Sequence, residues 1–139
     1  MFLQHGFLDS SDFFVENSPD KALAFILADS GYDVFVGNSR GNIYSRQHVS
    51  LDPDEDSAFW DFSWVEMGRY DITASISRAL EISGGKKLSY IGHSQGTAQM
   101  FVLLSENQAW VKGRVNCFVA LGPALRMKHT SSSLVRILA

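Results

Sequence analysis

The pentapeptide Gly92-His93-Ser94-Gln95-Gly96 constrains this chain more than any other stretch. Before it, Lys86-Lys87 lead into Leu88-Ser89-Tyr90-Ile91, a short run suited to a buried strand. After it, Thr97 to Leu104 supplies Ala98, Met100, Phe101, Val102, Leu103 and Leu104 with no Gly or Pro, as a helix requires. Gly-x-Ser-x-Gly arises by chance in roughly one chain of this size in twenty, so the flanking strand and helix carry the weight. A serine at the apex of a strand–turn–helix is a nucleophile elbow, its hydroxyl exposed above a sheet. The turn is so sharp that a side chain at Gly92 or Gly96 would collide with the neighbouring strand or helix. The competing reading is a glycine-rich turn with an incidental serine.

A serine hydrolase of this design needs an acid and then a histidine after the serine. Beyond Ser94 the chain holds one histidine, His129, and no acid besides Glu106. His93 adjoins the serine in the elbow, so its side chain is expected to point away and pack beneath the turn. His5 reads as structural, and His129 follows the last strand; neither fits the general base. At the other end, Phe2-Leu3-Gln4-His5-Gly6-Phe7 is an apolar run closing on His-Gly, followed by a polar loop. With such an elbow, one oxyanion donor is an N–H of this loop and the other is the N–H after the serine. Those donors would be the backbones of Phe7 and Gln95, although His-Gly alone is more often a plain turn.

The order of further stretches makes the match specific. Leu3-Gln4-His5-Gly6 is followed by Leu23 to Val34, Gly37-Asn38-Ser39-Arg40-Gly41-Asn42 and Phe59-Trp60-Asp61-Phe62-Ser63, then by Glu66-Met67, Tyr70-Asp71 and the pentapeptide. With these motifs the chain resembles the acid lipase family of α/β-hydrolases, which contains lysosomal acid lipase and gastric lipase. The resemblance spans most of the chain. It implies an α/β-hydrolase core with a mostly parallel sheet flanked by helices, truncated at both ends. Residues 1–139 would be a partial core domain, with the lid region and the C-terminal catalytic half absent. It also implies hydrolysis of triacylglycerols or cholesteryl esters by a lysosomal or secreted enzyme, with Ser94 as nucleophile and Phe7 and Gln95 as oxyanion donors. Phe7 stands where leucine is usual, which matters little because only its N–H would act. Transient contact with a lipid interface would follow in the full protein.

Read along the chain, strand and helix alternate, which predicts parallel pairing and an α/β layered architecture. Strands are expected at Phe2–Gln4, Tyr32–Val36, Leu88–Ile91 and Val115–Leu121. Ser18-Pro19-Asp20 predicts a helix start, with Ser as cap and Pro at the first position. That helix would run to Ser30, with Gly31 as its left-handed cap. A second helix is expected from Trp64 to Ile82, ending at Gly84-Gly85. Parallel strands are normally buried and flanked on both sides. A sheet ending at Leu121 would leave an apolar edge open, so the expectation is a piece of a longer hydrolase, inactive alone for want of acid and histidine. A monomeric, cooperatively melting 1–139 polypeptide would count against that.

A net charge of −3 argues against a nucleic-acid partner. Arg126, Lys128 and Arg136 cluster late and read as a solvated segment. Asp52-Pro53-Asp54-Glu55-Asp56 reads as a surface loop, lacking the spaced ligands and glycine of a calcium loop. Four scattered histidines and one cysteine give no metal-ligand spacing, so neither metal nor cofactor is expected. No stretch approaches the roughly 20 apolar residues of a membrane span, and the start does not resemble a signal peptide. Cys117, inside an apolar run, is expected to be buried. Arg40 is expected to form a salt bridge or hydrogen bond that braces the site. Phe59, Trp60, Phe62 and Trp64 read as core in preference to an acyl pocket. The alternative to a lipase-type hydrolase is a non-catalytic, hydrolase-like protein that binds lipids or a partner.

Overall fold

The structure, a computed structural model, describes residues 1–125, 131 and 132. Along the chain the elements are β1 (Phe2–Gln4), α1 (Leu23–Asp29), β2 (Phe35–Gly37), α2 (Trp64–Glu66), α3 (Ile72–Ser83), β3 (Leu88–His93), α4 (Gln95–Glu106), α5 (Gln108–Arg114) and β4 (Val115–Leu121). The four strands are parallel and lie in the order β2-β1-β3-β4. This is the expected α/β class. His129 and the cluster Arg126, Lys128 and Arg136 lie outside the described residues.

Alternation along the central strands explains the layers. In register, Phe2 lies beside Tyr90 and Leu3 beside Ile91. Successive side chains face opposite sides of a sheet, so both faces are apolar and both need cover. On one face Phe2 and Tyr90, stacked at 5.7 Å, join Ile72, Ile76, Met100, Leu103 and Val111 from α3, α4 and α5. On the other face Leu3 and Ile91 pack with Phe14 and with Ala24 of α1. Each such large apolar side chain stabilises the fold by roughly 1.5–3 kcal/mol when fully buried. Helices on both faces fix the sheet so that the C-terminal ends of β1 and β3 meet at the elbow.

The expected helix at Trp64 holds, with a local irregularity. Ser63 and Glu66 form a capping box: Val65 N donates to Ser63 Oγ at 3.1 Å and Ser63 N to Glu66 Oε2 at 2.8 Å. The Ser63 hydroxyl, donating to Glu66 Oε2 at 2.7 Å, and then Ser63 N hold the Glu66 carboxyl below its ordinary pKa. A π-helical turn, Met67–Asp71, joins α2 to α3. There a Cβ on Gly68 would lie 2.7 Å from the Gln99 carbonyl oxygen, so only glycine lets α4 approach this closely. Gly84, at φ 66°, ends α3 in the left-handed conformation.

Three expectations are corrected, and one helix is new. α1 starts at Leu23, not at Ser18-Pro19-Asp20. Lys21 N and Ala22 N close a single turn on Ser18 O, and Ala22 then extends at ψ 124°, which breaks the helix before it can propagate. β2 spans only Phe35–Gly37 because its partner β1 is three residues long. α5 was not foreseen: Asn107 caps it by accepting from Trp110 N, and β4 follows without a connecting loop. Cys117 is exposed, not buried. Among the described residues β4 pairs only with β3, and Phe118 turns toward Tyr90 and Phe101 while Cys117 points to the opposite face. There no described helix covers it.

Candidate active site

Ser94 occupies a backbone conformation that ordinary residues avoid, φ 48° and ψ −112°. Strain of this kind costs on the order of 1–3 kcal/mol and persists only where the surroundings enforce it. The enforcing contacts are visible. Ser94 N donates to Leu121 O at the end of β4, at 2.9 Å. Its carbonyl accepts from Thr97 N at 3.0 Å and Thr97 Oγ1 at 2.6 Å, and Ala124 N donates to that same Oγ1. Beneath, the fully buried Tyr90 hydroxyl donates to Gly96 O at 2.8 Å, and burial pushes its pKa well up.

Both elbow glycines are required by close approach. A Cβ on Gly92 would sit 2.8 Å from Gly96 backbone atoms and 2.9 Å from Thr97 N, inside the helix turn. A Cβ on Gly96 would sit 2.5 Å from Gln4 O and 2.8 Å from His5 O, at the end of β1 and its exit. The collisions expected with strand and helix are therefore both present. The loop after β1 also touches the serine: a Cβ on Gly6 would lie 3.2 Å from Ser94 Cβ. Phe7 and Gln95, the neighbours of Gly6 and Ser94 in the chain, both line one cleft of about 470 Å³.

Leu8, Ile43, Trp60 and Phe62 also line that cleft, with Arg40 at its wall. This corrects the core reading for Trp60 and Phe62. Trp60 is 43% exposed, its indole N–H donates to Pro53 O at 2.9 Å, and the Arg46 guanidinium lies 5.3 Å over its ring. A polar edge tied to the 46–54 loop keeps the ring upright at the cleft instead of folding it inward. Phe59 alone of the aromatic set is buried as expected, with Trp64 half-buried. The acidic run 52–56 is a surface loop, also as expected.

Arg40 braces the floor as anticipated. Its Nε and Nη2 contact Asp71 Oδ1 at 2.8 and 2.7 Å, while its backbone N donates to Asp71 Oδ2 at 2.9 Å. The π-helical turn carries Asp71 to that position. Among the described residues no histidine hydrogen-bonds Ser94. His93 stacks on Phe13 at 4.4 Å, packed by the turn as expected. His5, 3% exposed, is held between Gly6 O (2.7 Å, Nδ1) and Ser39 N (3.0 Å, Nε2).

One group of residues escaped the sequence reading. Ser39 Oγ accepts from both Gln4 Nε2 and Gln99 Nε2 at 3.0 Å, all three residues being buried. The available signal was a glutamine inside each of two apolar elements, since a buried amide needs a partner.

Burial lowers the His5 pKa below its ordinary 6.5, against smaller opposing effects of Gly6 O and Asp9. The unfolded chain therefore binds a proton more readily than the folded one. The stability that neutral His5 contributes is present above pH 6.5 and is lost as pH falls toward the lowered value. Melting temperature against pH should fall more steeply below that point for the parent than for His5→Asn, which has no titrating ring. Parallel curves would remove His5 from the acid response.

The alpha/beta hydrolase fold family matches residues 1–139. The chain is 48% identical over 134 residues to lipase lipl-1 of Caenorhabditis elegans, covering 96% of this chain and 33% of that protein. It is 52% identical over 128 residues to lipase 1 of Drosophila melanogaster, covering 92% and 29%. It is 44% identical over 137 residues to gastric triacylglycerol lipase of Homo sapiens, covering 99% and 34%. The chain thus spans about a third of the length of these curated relatives. A parallel sheet covered on both faces, an enforced serine turn and a match along the whole chain agree: the chain belongs to the α/β-hydrolase fold family, and the relatives it resembles are lipases.

Proposed function

We propose that this chain carries the nucleophile and oxyanion half of a serine hydrolase acting on lipid esters such as triacylglycerols or cholesteryl esters. The complete gene product supplies the acid and histidine from sequence beyond Ala139. The observation that carries this reading is the strained serine, φ 48° at the apex of a turn built around two obligatory glycines. A site without chemistry has no need of such strain.

In the reaction, Ser94 Oγ attacks the ester carbonyl while the histidine takes its proton. The tetrahedral oxyanion accepts the N–H groups of Phe7 and Gln95. Collapse expels the alcohol, which leaves with the proton from the histidine. Water then hydrolyses the acyl-enzyme by the same steps. Phe7, Leu8, Ile43, Trp60 and Phe62 give the cleft an apolar lining suited to an acyl chain and to brief contact with a lipid surface. Work at a lysosomal or secreted location is part of this reading, supported by the likeness to gastric triacylglycerol lipase.

Labelling with an alkyl fluorophosphonate tests it. The complete gene product should be modified once, and peptide mapping should find the label on Ser94. No label at Ser94 would leave the non-catalytic, lipid- or partner-binding alternative in place. The cleft lining has its own test. Trp60→Ala should shift the preferred acyl chain toward longer lengths, changing relative kcat/KM between chain lengths about tenfold. An unchanged length profile with lowered melting temperature would return Trp60 to a structural role.

A further inference from the structure

We infer that His5 is a positioning residue for the oxyanion donor at Phe7, resting on the reading of Phe7 and Gln95 as the oxyanion hole. Two donors converge on its Nε2: Ser39 N at 3.0 Å and Asn42 Nδ2 at 3.3 Å. An imidazole nitrogen that accepts carries no proton, so the ring's single proton sits on Nδ1. Nδ1 then donates to Gly6 O at 2.7 Å. That carbonyl belongs to the same peptide unit as the Phe7 N–H. The unit is planar and trans, so its C=O and N–H point in opposite directions. By holding Gly6 O on its buried side, His5 aims Phe7 N–H away from itself, toward the side where Phe7 lines the cleft.

The device suits the chemistry. A donor contributes to oxyanion stabilisation when it is oriented before charge develops. The loop beyond Phe7 gives little other support, since Phe7 is 42% exposed and Leu8 is 78% exposed at φ 55°. His5, at 3% exposure, is the anchored end of that loop, and Ser39 is in turn fixed by Gln4 and Gln99. The buried amide network therefore selects the tautomer, and the tautomer orients the donor.

Two conservative variants of the complete gene product separate orientation from mere packing. Asn places an amide N–H where Nδ1 stands, keeping the bond to Gly6 O and losing the Ser39 bond. Gln places a carbonyl where Nε2 stands, keeping the Ser39 bond and losing the one to Gly6. His5→Gln should lower kcat by about a hundredfold with KM within about threefold, while His5→Asn stays within about fivefold of the parent kcat. A purely structural role gives the reverse order, because the Ser39 bond is the one that ties distant parts of the chain together. Equal losses, or parent-like His5→Gln, overturn the inference. Should His5→Gln not fold, selective 15N-histidine spectra of the parent decide: a proton on Nδ1 is expected, and a proton on Nε2 overturns it. Ser94→Ala in the same assay distinguishes the two failures, since activity surviving there removes the oxyanion reading itself.

Discussion

Ser94→Ala in the complete gene product is expected to lower kcat toward esters by about a millionfold, leaving only what binding and the oxyanion donors supply. The fold should not notice. None of the hydrogen bonds among the described residues uses Ser94 Oγ, and Ala bears the same strain at φ 48° as Ser does. Ser94→Gly should be equally inactive but at least as stable as Ser94→Ala, because glycine adopts this conformation without a steric cost. Ester hydrolysis and thermal melts on the three proteins check both halves. Activity within tenfold of the parent in Ser94→Ala would sink the nucleophile assignment. A Ser94→Gly protein melting well below the Ala variant would show that the turn is not strained.

Gly96→Ala is expected to destabilise the fold by about 3 kcal/mol or more, a large share of the roughly 5–15 kcal/mol that holds a domain together. The new methyl would meet carbonyl oxygens of Gln4 and His5 at 2.5 and 2.8 Å, and these are backbone atoms of the central strand and its exit. They cannot yield without disturbing the Gln4–Gly92 pairing that joins β1 to β3. Activity should fall with stability, since any relief moves Gln95 or Phe7. Gly113→Ala is the control. It lies within α5 with nothing within 4 Å of its Cβ position. That substitution should stabilise by about 0.5–1 kcal/mol through helix propensity. Denaturant unfolding of both variants gives the comparison, and a Gly96→Ala protein as stable as Gly113→Ala would contradict the packing described for the elbow.

Elements carried by local signals are legible in the residues alone. Leu88 to Ile91 is apolar and bounded by lysines and glycines, and Val115 to Leu121 is bounded by Gly122-Pro123; both are strands. The elbow was readable because its glycines and serine have a covalent-scale reason to occur together. Less legible was anything set by the neighbour on the other side. Ser18-Pro19-Asp20 has the chemistry of a helix start, yet the chain makes one turn there and begins α1 five residues after Ser18, at Leu23. α5 offered a seven-residue segment containing Gly113, too short for periodicity to declare.

The site divides in the same way. Ser94, Gly92, Gly96, Phe7 and Gln95 were named from their order in the chain, and the structure brings them to one end of the sheet. The buried contacts of Gln4, Ser39 and Gln99, and the exposure of Trp60 and Cys117, were not predictable from the residues themselves. An apolar residue states only that it prefers burial. Whether another surface arrives to cover it depends on sheet order and on which face each helix takes. The sequence by itself determined the parallel α/β architecture and the strained turn, because periodicity and glycine sterics act over a few residues. Only the tertiary structure decided what lines the cleft, which side chains brace it and which tautomer His5 holds, because those depend on hydrogen bonds and contacts between segments more than thirty residues apart.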